Sequence, residues 1–139
     1  MKSWDEYKKT MDVPVTLFGA AKDNDVALLQ RLLAAGADLD ARDHRGYSPL
    51  MLAAYSGNGE AFDCLLAAGA DVNSADDGGN SVLMGACFKG HLDIIHKLLA
   101  AGADATAKNA AGVDAHGFAV LFGRTDVAAL LEMRAQQSA

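Results

Sequence analysis

The chain has 139 residues, of which 51% are hydrophobic and only 6% are aromatic, and its formal net charge is −6. A chain of this length fits one compact domain and buries a core without disulfides or metal ions. The negative charge argues against general affinity for nucleic acids or anionic membranes, because both require a basic surface.

The N-terminal segment, residues 1–12, has the pattern of a short helix. Residues 3–6 have capping-box spacing, and Trp4, Tyr7 and Met11 follow one another at i, i+3 and i+7. We expect an amphipathic helix that covers the exposed edge of the next unit. The alternative is a frayed tail. The segment contains no apolar run that would serve as a signal peptide.

The location of the protein is predicted from its thiols and its hydropathy. Cys64 and Cys87 are too few for a disulfide framework. No stretch approaches the roughly 18 to 20 apolar residues of a membrane span. These features favour a cytoplasmic protein with reduced cysteines.

An internal repeat governs the rest of the chain. The tripeptide Gly-Ala-Asp occurs at residues 36–38, 69–71 and 102–104, an interval of 33 residues. Two further series keep the same interval, namely Gly46, Gly79 and Gly112, and Gly57, Gly90 and Gly123. A fixed period of this size is typical of a solenoid. It predicts four units, at about residues 10–42, 43–75, 76–108 and 109–136.

Each unit has the pattern of two helices and a loop. In the second unit Ser48 is a suitable N-cap, and Pro49 occupies the first helical position, where its missing N–H has no partner to lose. Apolar residues follow at helical spacing, and Gly57 can end the helix in the left-handed conformation. Residues 93–99 repeat this spacing for a second helix, and residues 71–80 are rich in turn formers. The prediction is an all-α fold of four helix-turn-helix units joined by β-hairpin loops.

These residues resemble the ankyrin-repeat consensus. The resemblance depends on Ser48-Pro49-Leu50, Ala53-Ala54, Gly57, Leu65-Leu66, residues 69–73 (Gly-Ala-Asp-Val-Asn), and Asp43 before Gly46. It implies a single ankyrin-repeat solenoid over residues 1–139, with degenerate first and last units acting as caps. Asn24 replaces the turn glycine of the first unit, and His116 replaces a core leucine of the last.

No set of residues has the spacing of a catalytic, metal or cofactor site. Cys87 and His91 are four residues apart, but no second ligand pair accompanies them, and the repeat register places Cys87 in the core. We expect His91 to brace a loop and His116 to be partly buried and hydrogen-bonded. Gly78-Gly79 does not connect a strand to a helix, so it is not a phosphate loop. The prediction is a non-enzymatic protein without a cofactor.

A partner surface is predicted from the same register. In proteins that this chain resembles, binding uses the concave face, at the hairpin tips and the exposed end of each first helix. The predicted contact residues are His44, Arg45, Tyr47, Tyr55, Asp77, Asn80, Phe88, Lys89, Leu121 and Phe122. The tips change from basic through acidic to neutral along the array, which would orient a partner. The alternative for Phe88 and Leu121 is packing between neighbouring repeats.

Three functions remain open from the sequence. The first is a monomeric module that binds another protein, and neither nucleic acid nor a membrane. Residues 79–90 and 121–124 also resemble small bacterial ankyrin proteins, some of which support a catalase, whereas others are immunity proteins that neutralise a toxin. The catalase-linked members tend to be exported, which this N-terminus does not favour. The second function is therefore an inhibitor of a toxin or other enzyme. The third is assembly by end-to-end stacking, which the polar Glu132 and Arg134 of the last helix disfavour.

Overall fold

The computed structural model describes residues 16–137. This part of the chain contains the helices α1 (Leu17–Lys22), α2 (Val26–Ala34), α3 (Pro49–Ser56), α4 (Gly59–Ala67), α5 (Val82–Lys89), α6 (Leu92–Ala100), α7 (Ala115–Leu121) and α8 (Thr125–Gln137). Residues 16–137 contain no β-strand, and their loops pair only at an isolated antiparallel bridge between Ala75 and Ser81. The helix predicted for residues 1–12 lies outside the described residues.

The helices form two layers of a solenoid. The first helices of the four pairs, α1, α3, α5 and α7, contact one another in chain order, and the second helices α2, α4 and α6 do the same. Each first helix also contacts the second helix of its own pair. This stacking of helix pairs confirms the all-α solenoid, in which each unit buries its apolar face against its neighbours.

The helix ends follow the capping residues predicted from the sequence. The Ser48 hydroxyl accepts a hydrogen bond from the Met51 N–H at 3.2 Å, and Pro49 is the first residue of α3. The helix ends at Ser56, directly before the cap Gly57, whose φ of 72° is left-handed. Asn24, which replaces this glycine in the first unit, also has a positive φ of 57°. Asparagine tolerates this conformation better than most residues, so the turn is retained.

One hydrophobic core runs through all four helix pairs. The first helices contribute small side chains such as Ala53 and Ala86, which let neighbouring helices approach closely. The second helices contribute larger ones, including Phe62, Leu65 and Ile95, all fully buried. Burial of a side chain of this size stabilises the fold by about 1.5–3 kcal/mol.

A recurring hydrogen bond links each first helix to the next repeat. Asn58 donates to the last two carbonyl groups of α1 at 2.8 and 2.9 Å. One repeat later, the His91 Nε2 lies 3.3 Å from the Tyr55 carbonyl oxygen, and Arg124 Nε donates to the Phe88 carbonyl at 3.1 Å. The last carbonyls of a helix have no partner within it, so these side chains satisfy them. His91, which was expected to brace a loop, contacts the end of α3 instead, and these bonds hold the ends of the helices that carry Tyr55 and Phe88.

Candidate functional site

The loop tips are shaped by one side chain that recurs in each repeat. The Oδ1 atoms of Asp43, Asp76 and Asn109 each accept hydrogen bonds from the backbone N–H groups two and four residues later, at 2.8–3.0 Å. Short polar side chains favour such turns because they bond locally to the backbone. Asp and Asn both perform the role, since each presents an acceptor oxygen.

The tips are also joined to one another. The Asp77 N–H donates to the Arg45 carbonyl at 3.3 Å, and one repeat later the Ala110 N–H donates to the Gly78 carbonyl at 3.0 Å. A side-chain bond from Asn109 to Asn80, at 2.8 Å, adds a second link. The tips therefore form a continuous hydrogen-bonded row along one edge of the solenoid.

The charge of the first tip is largely compensated. The Arg45 guanidinium lies 3.4 Å from the Asp43 carboxylate and 4.4 Å from the centroid of the Tyr47 ring. Burial acts to raise the pKa of Asp43, but hydrogen bonds from the backbone of Tyr47 and Arg45, and the Arg45 guanidinium, bring it below its usual value. His44 is exposed beside this pair. The predicted gradient from a basic to an acidic tip is thus weaker than the residue types alone indicate.

Four aromatic side chains make contact with one another, three at the ends of first helices and one, Phe118, in the middle of α7. We call them the aromatic stripe: Tyr55, Phe88, Phe118 and Phe122. Tyr55 stacks on Phe88 with ring centroids 5.9 Å apart, and the edge of Phe122 meets Phe88 at 4.5 Å. Phe118 stacks on Phe122 at 5.9 Å. Aromatic pairs in these geometries stabilise by about 0.5–1.5 kcal/mol beyond their burial. The Lys89 ammonium lies 4.6 Å from the Tyr55 ring centroid.

A groove of about 220 Å³ lies between the row of tips and the aromatic stripe. Its lining comprises Tyr47, Met51, Leu52, Tyr55, Asp76, Asn80, Ser81, Val82, Met84, Gly85, Phe88, Phe118 and Phe122. Apolar atoms predominate on its surface, and the polar groups of Asp76 and Asn80 come from the tip of the third repeat. An apolar concavity with a few polar groups at its edge is the usual form of a binding site.

The structure brings most of the predicted contact residues together. Those that line the groove are Tyr47, Tyr55, Asn80, Phe88 and Phe122. The others in the same region are His44, Arg45 and Asp77 on the tips and Lys89 over the stripe. Phe88 is half-buried, and rings of both neighbouring repeats lie against it. It therefore packs between repeats and also lines the groove.

Leu121 is the predicted apolar residue that does not line the groove. Its side chain is 67% exposed, and Phe122 instead contacts Phe88. The first helices α3 and α5 end directly before a left-handed glycine, whereas α7 ends one residue earlier, at Leu121. The backbone hydrogen bonds at this end nevertheless repeat those of α3, because the Gly123 N–H donates to the Val120 carbonyl and the Arg124 N–H to the Ala119 carbonyl. Phe122 therefore keeps the repeat position of Lys89, which also lies over the stripe.

The floor of the groove was not predicted from the sequence. Met51 and Met84 are buried there, and Leu52, Gly85 and Phe118 occupy one position in three successive repeats. The signal was present, because a glycine in the interior of a helix is unfavourable and needs a reason. Gly85 is such a glycine, between two large residues of the neighbouring repeats.

The remaining chemistry-bearing residues have structural surroundings. Burial raises the pKa of the Cys87 thiol to about 12, so the thiol is protonated at neutral pH. The His116 Nε2 lies 2.7 Å from the Glu132 carboxylate on the last helix, which confirms a partly buried, hydrogen-bonded histidine. Across residues 16–137, no group of three or more His, Cys, Asp or Glu side chains is arranged to hold a metal ion.

Comparison with known protein families agrees with this architecture. The family model for ankyrin repeats, in three copies, matches residues 17–109. The chain belongs to the ankyrin-repeat family. Ankyrin repeats are generally protein-interaction modules without enzymatic activity.

One curated ankyrin protein shares part of this sequence. A segment of 55 residues is 42% identical to ankyrin repeat domain-containing protein 29 of Danio rerio. The segment is 39% of this chain but covers only 18% of that relative. Among residues 16–137, no helix is both long and apolar enough to cross a membrane.

Proposed function

We propose that this ankyrin-repeat chain is a non-enzymatic module that binds another protein through the groove, the aromatic stripe and the loop tips. The observation that supports it is the aromatic stripe itself, in which Tyr55 is 44% and Phe122 47% exposed beside an apolar groove. Large rings in this position are not needed by the core, which the alanine and leucine columns already fill.

Such a surface has the composition of a binding hot spot. Tyrosine and other large side chains near the centre of an interface carry much of the binding free energy, and their truncation typically costs 2 kcal/mol or more. A loss of about 2 kcal/mol weakens binding roughly 30-fold. The groove is flanked by a polar rim formed by the tips, as in interfaces that exclude water from their centre.

The test compares three baits, each attached to beads and incubated with lysate of the source cell. We expect the Tyr55→Ala/Phe88→Ala variant to recover at least tenfold less of the partner than the wild type. The matched control is Leu121→Ala, which removes an exposed apolar side chain outside the groove and should leave recovery unchanged.

Circular dichroism and urea unfolding establish whether each bait is folded. If the double variant is not folded, the single variant Tyr55→Ala replaces it as bait. Equal recovery by folded Tyr55→Ala and wild type would contradict the proposal. Loss of recovery with Leu121→Ala alone would move the binding surface away from the groove.

A second candidate function is inhibition of a basic enzyme, as in an immunity protein. The formal net charge of −6 favours it, because electrostatic complementarity accelerates association with a basic partner. The alternative of an accessory protein for a catalase has no comparable support from the charge. The reading frame beside the gene discriminates between the two roles. A toxin encoded there would favour the inhibitor, a catalase would favour the accessory protein, and neither would favour neither role. Either role is compatible with a monomer in the cytoplasm.

A further inference from the structure

Gly85 lies in the floor of the groove, in a position where the backbone does not require glycine. It is the fourth residue of α5 and does not have the positive φ that Gly57, Gly79 and Gly90 adopt. A Cβ atom added there would lie 3.5 Å from Tyr55 Cδ2, an ordinary contact distance. By contrast, a Cβ on Gly46 would approach Asp77 Oδ1 to 2.5 Å. The fold accepts a side chain at residue 85, yet the sequence has none.

The missing side chain opens the groove between two larger neighbours. Leu52 and Phe118 occupy the equivalent positions of the adjoining repeats, and Tyr55 and Phe88 form the wall on the side of the helix ends. The resulting space of about 220 Å³ is smaller than the roughly 300–1,000 Å³ of sites for drug-sized ligands. An apolar cavity of about 150 Å³ holds a benzene ring. The space therefore suits one large apolar side chain and not a cofactor.

The tip beside the groove carries uncompensated negative charge. Both carboxylate oxygens of Asp76 accept hydrogen bonds from neutral groups of Gly78 and Asn80. Within residues 16–137 no cationic side chain pairs with Asp76 or with the exposed Asp77. Of the neighbouring cations, Arg45 is paired with Asp43, and the Arg42 guanidinium donates to the Ala75 carbonyl oxygen rather than to a carboxylate. A basic group of a partner would meet an unpaired negative edge at this wall.

We propose that Gly85 opens a slot for a single leucine-sized or phenylalanine-sized side chain of a partner polypeptide, in a segment that also has a lysine or arginine to reach Asp76 and Asp77. This inference rests on the proposed function and specifies the chemistry of the partner. The aromatic stripe supplies the apolar wall, and the third tip supplies the charge that sets the orientation of the segment.

The experiment uses a phage-displayed library of random peptides, selected on the full chain. Affinities of the enriched peptides are then measured by fluorescence polarisation. We expect the peptides to share one large apolar residue with Lys or Arg close to it in sequence. We expect Gly85→Leu to weaken their binding at least tenfold, because leucine fills the slot, and Gly85→Ala to weaken it less than about threefold.

The charge is tested with Asp76→Asn/Asp77→Asn, which keeps the turn because Asn109 makes the same turn in the next repeat. This variant should bind at least threefold more weakly, and its binding should depend less steeply on salt. A measurement on the wild type does not depend on whether Gly85→Leu folds. The ¹³C ε-methyl signals of Met51 and Met84 should shift on peptide addition, whereas that of the exposed Met133 should not.

The outcomes separate the two proposals. Two results would overturn the proposed slot but not the interaction module, provided that the peptides bind Tyr55→Ala/Phe88→Ala more weakly than wild type. In the first, the peptides leave the signals of Met51 and Met84 unshifted. In the second, they bind folded Gly85→Leu as tightly as wild type. The proposed slot would also be overturned if the enriched peptides had no common large apolar residue, or no lysine or arginine close to it in sequence. Failure to enrich any peptide, or binding that no variant alters, would overturn both.

Discussion

Two glycine-to-alanine substitutions, Gly85→Ala and Gly57→Ala, should change stability in opposite directions. Alanine is more favourable than glycine within a helix by about 0.8–1.0 kcal/mol. At residue 85 the backbone is helical and the new Cβ meets Tyr55 at an ordinary 3.5 Å, so nearly all of this gain should be realised. At residue 57 the φ of 72° is left-handed, which costs a non-glycine residue about 1–2 kcal/mol. The Cβ there would also approach the His91 ring to 2.8 Å.

The assay is urea unfolding at neutral pH, followed by circular dichroism. With a slope of about 1–3 kcal/mol per molar urea, a change of 1 kcal/mol moves the midpoint by roughly 0.3–1 M. We expect Gly85→Ala to raise the midpoint and Gly57→Ala to lower it by at least as much. A lower midpoint for Gly85→Ala would refute the reasoning, because glycine would then be required by packing and its retention would indicate nothing about a binding slot.

Two other predictions concern buried and hydrogen-bonded side chains. Under native conditions iodoacetamide should label the half-buried Cys64 and not Cys87, because burial and a raised pKa keep the Cys87 thiol protonated and out of reach. Mass spectrometry of the native and the denatured protein measures the labelling of each cysteine. Equal labelling of Cys64 and Cys87 in the native protein would contradict the burial of Cys87. Asp43→Ala should cost about 1–2 kcal/mol by leaving two backbone N–H groups of the first tip without an acceptor, whereas Asp43→Asn should cost less than about 1 kcal/mol, since Asn109 makes the same turn. Because the pKa of Asp43 is lowered in the fold, its ionised form stabilises the native state at pH values above the ordinary carboxyl range, and this contribution is lost as the pH falls through the lowered pKa. The difference in urea midpoint between wild type and Asp43→Asn should therefore shrink from pH 7 to about pH 3. A constant difference would contradict a lowered pKa of Asp43 in the native state.

The fold was predictable because its determinants repeat. Ser48, Pro49 and Gly57 specify where a helix begins and ends, and each acts through local backbone geometry that the sequence displays directly. A structural role for the histidine at residue 91 was predictable for a similar reason, but its contact with the end of α3 was not. The boundaries of the four units and the identity of the contact residues stay predictions.

The groove was harder to predict because it depends on what is absent from a position. The register aligned Leu121 with Tyr55 and Phe88, whereas the ring that meets Phe88 belongs to Phe122, which is aligned with Lys89. The depth of the groove depends on Gly85, whose effect appears only when Leu52 and Phe118 stand on either side.

The candidate binding surface is thus built from positions where the repeat departs from itself. The core columns hold nearly the same residue in each unit, as with Ala53 and Ala86, because every unit must pack against the next in the same way. The floor column instead alternates between small and large, through Gly19, Leu52, Gly85 and Phe118. Within the described repeats, Gly85 has a large residue on both sides, Leu52 and Phe118, and aromatic rings along the wall beside it. Gly19 does not have these surroundings, because the residue of its unit that is aligned with Tyr55 is an exposed lysine. Under the proposal made above, this chain gains its binding specificity at Gly85, where the uniform packing of the repeat is interrupted without loss of the helix.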